Sequence, residues 1–474
     1  MWALIIGIFS FTSQQTADTV ISRQTSDSLV NRNVTVNRIL IIGNKITREG
    51  IISRELSLKT GDTISTLRMR EILSKDQQKI YNTRLFNSVT VKWLEITPNK
   101  VDLLVEVNER WYTFPVPIFE LSDRNFNEWW QNYDHDLNRV NYGLRLYQYN
   151  FRGRNETLRL TAQFGFSRRF ELSYRIPYID RKQKHGLIFD FRYSEPKNLA
   201  YQTAEHKLEF VEGRETLRTG LESGITYTFR KSFYTTHSFS FSYLDNHVTD
   251  TIANLNPNFY GNGQDRQKFG AFTYSFNSEH RDVVAYPLVG YQLTAFLQKS
   301  GLGFGTDVNQ WEVNLTYSRY MDLKKNFYLS NFSSAYLSTP ANQPYSLFSA
   351  LGYRKQLVKG YEVYVIEGPV FLLNKTTLRK KIFSRTWNIE EMPIEQFRYF
   401  PLTIYLKSYV DLGYVENYPY YEERNLNTQL SDHLLAGMGA GFDIVTAYDA
   451  VLRLEYTFTR EKTHGFFFHL KKEF

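Results

Sequence analysis

Beyond residue 139 the chain alternates apolar and polar positions with period two. In the C-terminal run DAVLRLEYTFTR, Ala450, Leu452, Leu454, Tyr456 and Phe458 fall on one parity, and Arg453, Glu455, Thr457 and Thr459 on the other. Phe466, Phe468, Leu470 and Phe474 then share a parity opposite His469, Lys471 and Glu473, with Lys472 interrupting the apolar face. Residues 158–166 (LRLTAQFGF) alternate without error, and 187–193, 239–243, 272–276, 291–297, 311–317 and 402–412 repeat the pattern. Such periodicity predicts strands with one apolar and one polar face. A soluble sandwich strand alternates too, but rarely as aromatic-rich segments repeated over hundreds of residues up to a terminal Phe. The pattern predicts a transmembrane antiparallel β-barrel over 140–474, and at about 20 residues per strand and connection it holds roughly sixteen strands. The first strand is expected near 140–149 and the last at 465–474, so these two would meet at the barrel seam.

Residues 34–110 carry a different, mixed pattern. A strand is expected at 36–42 (VNRILII), ended by Gly43-Asn44. A short helix at 47–56 follows, with Thr47 placed to cap it. A turn at 59–62 leads to a longer helix at 65–82, with Leu67, Ile72, Ile80 and Tyr81 as its candidate buried side. Strands at 89–96 and 101–108 close the unit through a turn at 97–100. The order is β-α-α-β-β, and a unit of this size just suffices to bury a core of its own. Residues 111–139 hold two prolines, several early aromatics and the Trp129-Trp130 pair. They read as a junction at the barrel rim, with the two Trp near headgroup level or packed against the preceding unit. Residues 1–17 contain an apolar stretch too short to span a bilayer and are expected to be a signal peptide, although no basic residue precedes the run. Residues 18–33 are polar and read as a linker.

Composition sharpens this picture. Aromatics make up 16 % of the 474 residues, with 34 Tyr, 36 Phe and 7 Trp, an excess that suits lipid-facing strands with aromatic girdles. The mean hydropathy is nevertheless polar, at −0.43, as expected when half of each strand faces a wet interior. A closed sheet satisfies its backbone groups within lipid, as helices do. The chain has no cysteine, which excludes disulfides, thiolate metal sites, a cysteine nucleophile and a lipidated N-terminal Cys. The net charge of +8 is assigned to loops and lumen rather than to nucleic acid, since no base-reading motif accompanies it. No G-x-S-x-G, H-E-x-x-H or phosphate-binding loop occurs, so no enzyme activity, metal or cofactor is expected. The glycines of Gly437-Met438-Gly439-Ala440-Gly441 read as a kinked barrel strand rather than a nucleotide site.

Three passages in the N-terminal unit, RILIIGNKIT, TRLFNSVTVKW and VDLLVEVNER, resemble a POTRA domain. The stretches YNFRGRNETLRL, SYRIPYID and RDVVAYPLVGYQL, with the closing Phe, resemble the BamA/TamA-type outer-membrane assembly and translocation family. The likeness covers nearly all of the chain after the N-terminal segment and implies a single-POTRA member, with the barrel in the outer membrane and the POTRA domain in the periplasm. It also implies that an edge strand at 89–96, represented by Val89, Val91 and Trp93, binds unfolded client chains or partner subunits by strand addition. The alternative is a spacer or assembly hub.

The resemblance further implies a long loop folded back into the lumen with a Val-Arg-Gly-Phe/Tyr tip. The matching residues are Val358, Lys359, Gly360 and Tyr361 in QLVKGYEVY. Their implied inner-wall partner is Asp411 in KSYVDLGYVEN, and parity agrees: Leu402, Ile404, Leu406, Val410 and Leu412 share the lipid side, leaving Asp411 to the lumen. Two departures stand out. Lys359 replaces an arginine and cannot make the planar two-pronged contact. Thr377 stands where a second wall carboxylate is often found, so a thinned pair of one cation and one anion is expected. A solvated loop lysine is the plain alternative.

Taken together, the implied function is assembly and insertion of outer-membrane proteins. The POTRA domain would receive unfolded β-barrel clients, and a barrel seam with its C-terminal signal (Phe466, Phe468, Leu470, Phe474) would template their insertion. Outer-membrane lipid and periplasmic or lipoprotein accessory subunits are the other implied partners. Two alternatives stay open: a non-inserting structural subunit of an envelope complex, and a protein-secreting translocation barrel.

Overall fold

The structure is a computed structural model that describes residues 31–121, 137–213, 215–303, 308–352 and 356–471. The expected signal segment, nearly all of the linker, Trp129, Trp130 and Phe474 lie outside the described residues.

The N-terminal unit runs β1 (Asn33–Ile42), α1 (Glu49–Ser53), β2 (Thr63–Ser65), α2 (Thr66–Tyr81), β3 (Phe86–Thr97) and β4 (Lys100–Glu109). Its sheet has the order β2-β1-β4-β3, with β1 parallel to β4 and the other pairs antiparallel. Alternate residues of β1 and β4, such as Val36, Val101, Leu103 and Val105, are almost fully buried against α1 and α2. On α2 the buried stripe is Met69, Leu73, Asp76 and Ile80, spaced four, three and four residues apart as one helix face requires. Leu67, expected on that face, is 54 % exposed; it sits two residues ahead of Met69 and so on the opposite side of the turn. Thr47 does not cap α1. The helix begins at Glu49 without a side-chain cap, and the Thr47 hydroxyl instead meets the Tyr112 phenol at 3.1 Å and accepts from Asn150 Nδ2 at 2.8 Å.

Sixteen strands then form one antiparallel sheet in sequence order. They open with β5 (Thr113–Leu121), β6 (Val140–Phe151), β7 (Glu156–Gly165), β8 (Arg168–Ile176) and β9 (His185–Glu195). A hairpin of β10 (Asn198–Ala204) and β11 (Lys207–Glu212) projects from the sheet before β12 (Arg218–Arg230), β13 (Thr235–Val248), β14 (Arg266–Glu279), β15 (Gly290–Leu302), β16 (Gln310–Lys324) and β17 (Phe327–Thr339). The next loop carries the two-residue strands β18 (Ala350–Leu351) and β19 (Ile366–Glu367). The sheet ends with β20 (Val370–Asn388), β21 (Tyr399–Glu416), β22 (Leu435–Thr446), β23 (Val451–Thr459) and β24 (His464–Lys471).

One face of this sheet carries exposed Phe164, Leu172, Phe241, Leu315, Met438 and Phe458, while Thr161, Ser300, Ser334, Asp411 and Glu455 are buried on the other. An apolar exterior around a polar interior is the arrangement of a transmembrane barrel. Among the described residues no helix is long and apolar enough to cross a membrane. The mainly β fold and the strand number agree with the sequence reading, but the start of the barrel does not. Residues 113–121, expected to be junction, form the first strand, so the two edges of the sheet, where a seam would lie, are β5 and β24 rather than 140–149 and β24. Pro115 and Pro117 suggested a break, yet their nitrogens point away from β6, as shown below, and cost no bond there.

Candidate functional site

The loop between β17 and β20 returns to the inner wall of β21, β22 and β23. Val358 is 2 % exposed, in a cluster with Leu351, Ile366, Phe371, Val415 and Leu435. Tyr361 is equally enclosed, and its phenol donates to Glu461 and lies 3.5 Å from the Ala436 carbonyl. Gly360 has φ +94°, a left-handed conformation that favours glycine, and a Cβ there would strike the Thr459 side chain. A Cβ on Gly437 would strike the Lys359 carbonyl. Gly437 of β22 therefore provides the depth in which the loop tip rests, whereas Gly439 and Gly441 approach the backbone of β23.

Lys359 Nζ stands 3.9 Å from Asp411 Oδ2 and 3.3 Å from Glu455 Oε1, and 3.7 Å from the centre of the Tyr409 ring. The Lys359 amide also donates to Asp411 Oδ2 at 3.3 Å. This is not the thinned one-to-one pair expected from the sequence. Lys375 lies 3.9 Å from the same Asp411 oxygen. Lys407 bonds Asp443 and stands 2.8 Å from Glu455. Arg379 and Arg453 approach Asp443 at 3.6 and 3.7 Å, and the Tyr286 phenol donates to it at 2.8 Å. Thr377 is indeed not an acid, but the wall regains carboxylates at Asp443 and Glu455. The network is laid out by register: Lys375 pairs with Asp411, Arg379 with Lys407, and Asp443 with Arg453, while Gly437 and Gly441 leave space opposite Asp411 and Lys407. Lys407, Asp443 and Glu455 escaped the sequence reading. Their signal was a run of charges on the lumen parity of consecutive strands, whose pairing becomes visible only once the register is known.

The N-terminal unit lies against the barrel turns at its own end. Glu55 and Arg230 form a two-pronged ion pair at 2.6 and 2.7 Å. Asn82 donates to the Asp282 carbonyl and accepts from the Val284 amide, and Asn87 donates to the Gln396 carbonyl at 2.8 Å. The core of the unit takes in Tyr112 and Tyr178 from the barrel side. β3 forms one edge of the small sheet. Val89 and Val91 turn inward with Trp93 packed beside them, so what the edge offers is backbone. The Val91 amide, directed away from β4, bonds Gln77 Oε1 at 3.3 Å.

At the seam, Tyr149 N donates to Tyr112 O at 2.8 Å, which fixes the ladder phase between β5 and β6. In an antiparallel pair, bonded residues alternate. Residues 114, 116, 118 and 120 therefore bond β6, and 113, 115, 117 and 119 face the seam. Pro115 and Pro117 remove two donors from that edge. On β24 the bond from Thr459 N to Thr463 O fixes the phase likewise, so His464, Phe466, Phe468 and Leu470 present intact backbone groups outward. Their Phe466, Phe468 and Leu470 side chains are more than half exposed. Among the described residues no register joins β24 to β5.

Comparison with known proteins fits this architecture. Residues 34–110 match the POTRA family, described as surface antigen variable number repeat, and residues 150–474 match the Omp85 superfamily domain. CdiB from Escherichia coli is similar in fold, with 9 % identity, TM-score 0.50, and 96 % of this chain and 93 % of that chain covered. BamA from Haemophilus ducreyi lacking POTRA domains 1-3 aligns with 14 % identity and TM-score 0.49 over 93 % of this chain and 82 % of that one. No curated protein matches the chain. With the superfamily domain spanning more than two thirds of its length, this outer-membrane β-barrel protein belongs to the Omp85 superfamily.

Proposed function

We propose that the chain is an outer-membrane assembly factor of the BamA/TamA type. In this reading residues 34–110 form the receiving POTRA domain on the periplasmic side, and the barrel, starting at Thr113, inserts client strands at its seam. The observation that carries the reading is the β5 edge. Two seam-facing prolines leave it two donors short, whereas the backbone of β24 is complete. A seam that cannot zip fully is cheap to open, and an unpaired β24 edge is a template for an incoming strand. The gain that drives insertion is burial of apolar client surface in lipid together with completion of client backbone bonds, so no nucleotide is required. The POTRA edge at Val89, Val91 and Trp93 would receive the client first, displacing Gln77 from the Val91 amide. Periplasmic or lipoprotein subunits are expected on the exposed faces of the same domain.

The loop tip and its ion network would hold the inner wall of β20–β23 rigid beside the opening seam. The number of charges gathered there, Lys359, Lys375, Arg379, Lys407 and Arg453 against Asp411, Asp443 and Glu455, favours this reading over a degenerate structural subunit. A second reading, passage of a polypeptide through the lumen, is favoured by the small polar inner face of β13–β17, with Ser240, Ser242, Ser300, Ser318 and Ser334. It must contend with a POTRA domain seated on the mouth and a loop tip inside. Depletion in cells decides between the readings. Loss of heat-modifiable barrel proteins from the membrane is expected, and unchanged levels would reject the assembly role. Loss of one secreted protein alone would favour passage.

A further inference from the structure

Between the POTRA domain and the inner wall of β6–β9 lies a cavity of about 480 Å³ whose lining includes Arg84, Tyr147, Tyr149, Arg159, Arg175 and Asp190. Register places Tyr147 opposite Arg159, Arg159 opposite Ser173, and Ser173 opposite Asp190, with Arg175 one pleat nearer the POTRA domain. Neither the Arg159 nor the Arg175 guanidinium has a hydrogen-bond or ion-pair partner among the described residues. The charges acting most strongly on Arg175 are Arg84 and Arg230, both of its own sign, and Arg230 is already committed to Glu55. One carboxylate, Asp190, stands within a lining that holds several cations.

Unpaired guanidiniums that stand open to the lumen gain from an anion, and their flat fork fits a carboxylate at two points. Much of the remaining wall is aromatic. Tyr147 and Tyr149 are parallel with ring centres 6.2 Å apart, and Phe114 meets Tyr149 edge-on at 6.1 Å. Such a surface accepts apolar side chains next to an acidic one. The barrel wall separates the cavity from the bilayer, which disfavours a lipid headgroup. Arg84 and Leu85, both in the lining, immediately precede Phe86 at the start of β3, so a chain running along the β3 edge ends here.

We propose that this cavity binds a carboxylate-bearing segment of an unfolded polypeptide, with Arg159 and Arg175 pairing with its Asp or Glu side chains. The inference rests on the receiving role proposed for the POTRA domain and gives that domain's clients a chemical preference.

The test uses the full chain in detergent and two fluorescent peptides of one alternating sequence, carrying either Glu or Gln at the polar positions. Anisotropy should show the Glu peptide binding about tenfold tighter, one good charge pair's worth, with the advantage shrinking as salt rises. It should vanish in Arg159→Gln/Arg175→Gln and persist in part in Arg159→Lys/Arg175→Lys. Heat-modifiable mobility reports whether each variant is folded. Independently of any variant, a photo-crosslinker beside one Glu should attach to β6–β8 in the unmodified protein. Equal affinity for the two peptides, an advantage that survives the Gln substitutions, or attachment elsewhere would overturn the proposal. So would displacement of the Glu peptide by inorganic phosphate or by anionic-lipid vesicles as readily as by unlabelled Glu peptide. Binding of the Gln peptide that is lost in Val91→Pro tests the POTRA reading separately, and that outcome is independent of the arginines.

Discussion

Arg110 and Asp449 face each other as a fork. Arg110 Nη1 donates to Asp449 Oδ2 at 2.8 Å and Nη2 to Oδ1 at 3.4 Å, with less than a tenth of either side chain exposed. The pair ties the residue that follows β4 to the turn between β22 and β23, near the closing end of the barrel. Arg110 also donates from Nε to the Phe86 carbonyl, so one side chain joins the start of β3, the end of β4 and that turn. Breaking a buried pair on one side leaves the other charge stranded, at a cost of about 3–5 kcal/mol. Asp449→Asn should therefore loosen the joint between POTRA domain and barrel while leaving each part folded. Hydrogen exchange should quicken around residues 110–113 and 446–450 and stay unchanged in the POTRA core at Ile80 and Leu103. Uniformly faster exchange across the POTRA domain would instead mean that the pair holds the domain fold and not the joint.

The seating of the loop tip divides between charge and shape. Removing Lys359 leaves Asp411 beside Lys375 and Glu455 beside Lys407, so both carboxylates keep a cation. Lys359→Ala should cost only about 1–3 kcal/mol, the scale of one charged hydrogen bond. Asp411→Asn should cost more, because Lys359 retains Glu455 but Lys375 loses its one carboxylate and is left as a stranded cation. Gly437→Val should unseat the tip, since its side chain would occupy the place of the Lys359 carbonyl. Protease cleavage within 340–369 of the folded barrel reads all three. A Lys359→Ala loop cut as fast as the Gly437→Val loop would show that the ion network, rather than the glycine recess, seats the tip.

The seam prediction follows from the two missing donors. Pro115→Val/Pro117→Val restores a full set of backbone groups to β5 without touching its ladder with β6. The chain has no cysteine of its own, so a disulfide between cysteines placed at Phe119 and on β24 reports closure directly. The double substitution should raise crosslinking and the melting temperature, by roughly one to three kcal/mol if two bonds of typical worth form, and it should depress barrel assembly in cells. Tighter crosslinking with assembly intact would separate seam opening from function.

How much of this was legible in the chain differs by element. The alternation in β7, β21 and β23 is clean because each strand has lipid on one side and a polar interior on the other, so period two survives unblurred. β5 was missed because proline is ordinarily a reason to end a strand, and its tolerance depends on which way the nitrogen points, a property of pairing rather than of sequence. Thr47 looked like a cap from its spacing to a helix, and only the folded chain brings Tyr112 and Asn150 to it. Lys359 and Asp411 were findable through parity and resemblance. Glu455 was equally inward by parity, but its place beside Lys359 depends on a chain reversal between residues almost a hundred positions apart.

His206 offers a pH-dependent prediction at the far end of the barrel, outside the sixteen-stranded sheet. It closes the β10–β11 hairpin, where Glu205 and His206 both have positive φ, and it is fully buried. Its Nε2 accepts from the Leu430 amide at 2.9 Å, its own amide donates to Asn427 Oδ1 at 2.9 Å, and its carbonyl accepts from the Val365 amide at 2.8 Å. One residue thus pins the hairpin to two other loops, and it can do so only as neutral imidazole, because a protonated Nε2 would confront the Leu430 N–H. Burial lowers its pKa from 6.5 to about 4. A histidine with a depressed folded pKa contributes stability that is complete above the unfolded value and is lost as pH falls from there through the folded one. The cap should therefore hold at neutral pH and weaken between pH 6.5 and about 4, by up to roughly 3 kcal/mol at the acid end. Hydrogen exchange of 198–212 and 427–431 should accelerate over that window in the natural protein. His206→Gln should show weaker protection at neutral pH and little change on acidification. A cap that loosens with the same acid profile in His206→Gln would assign the titration to another group.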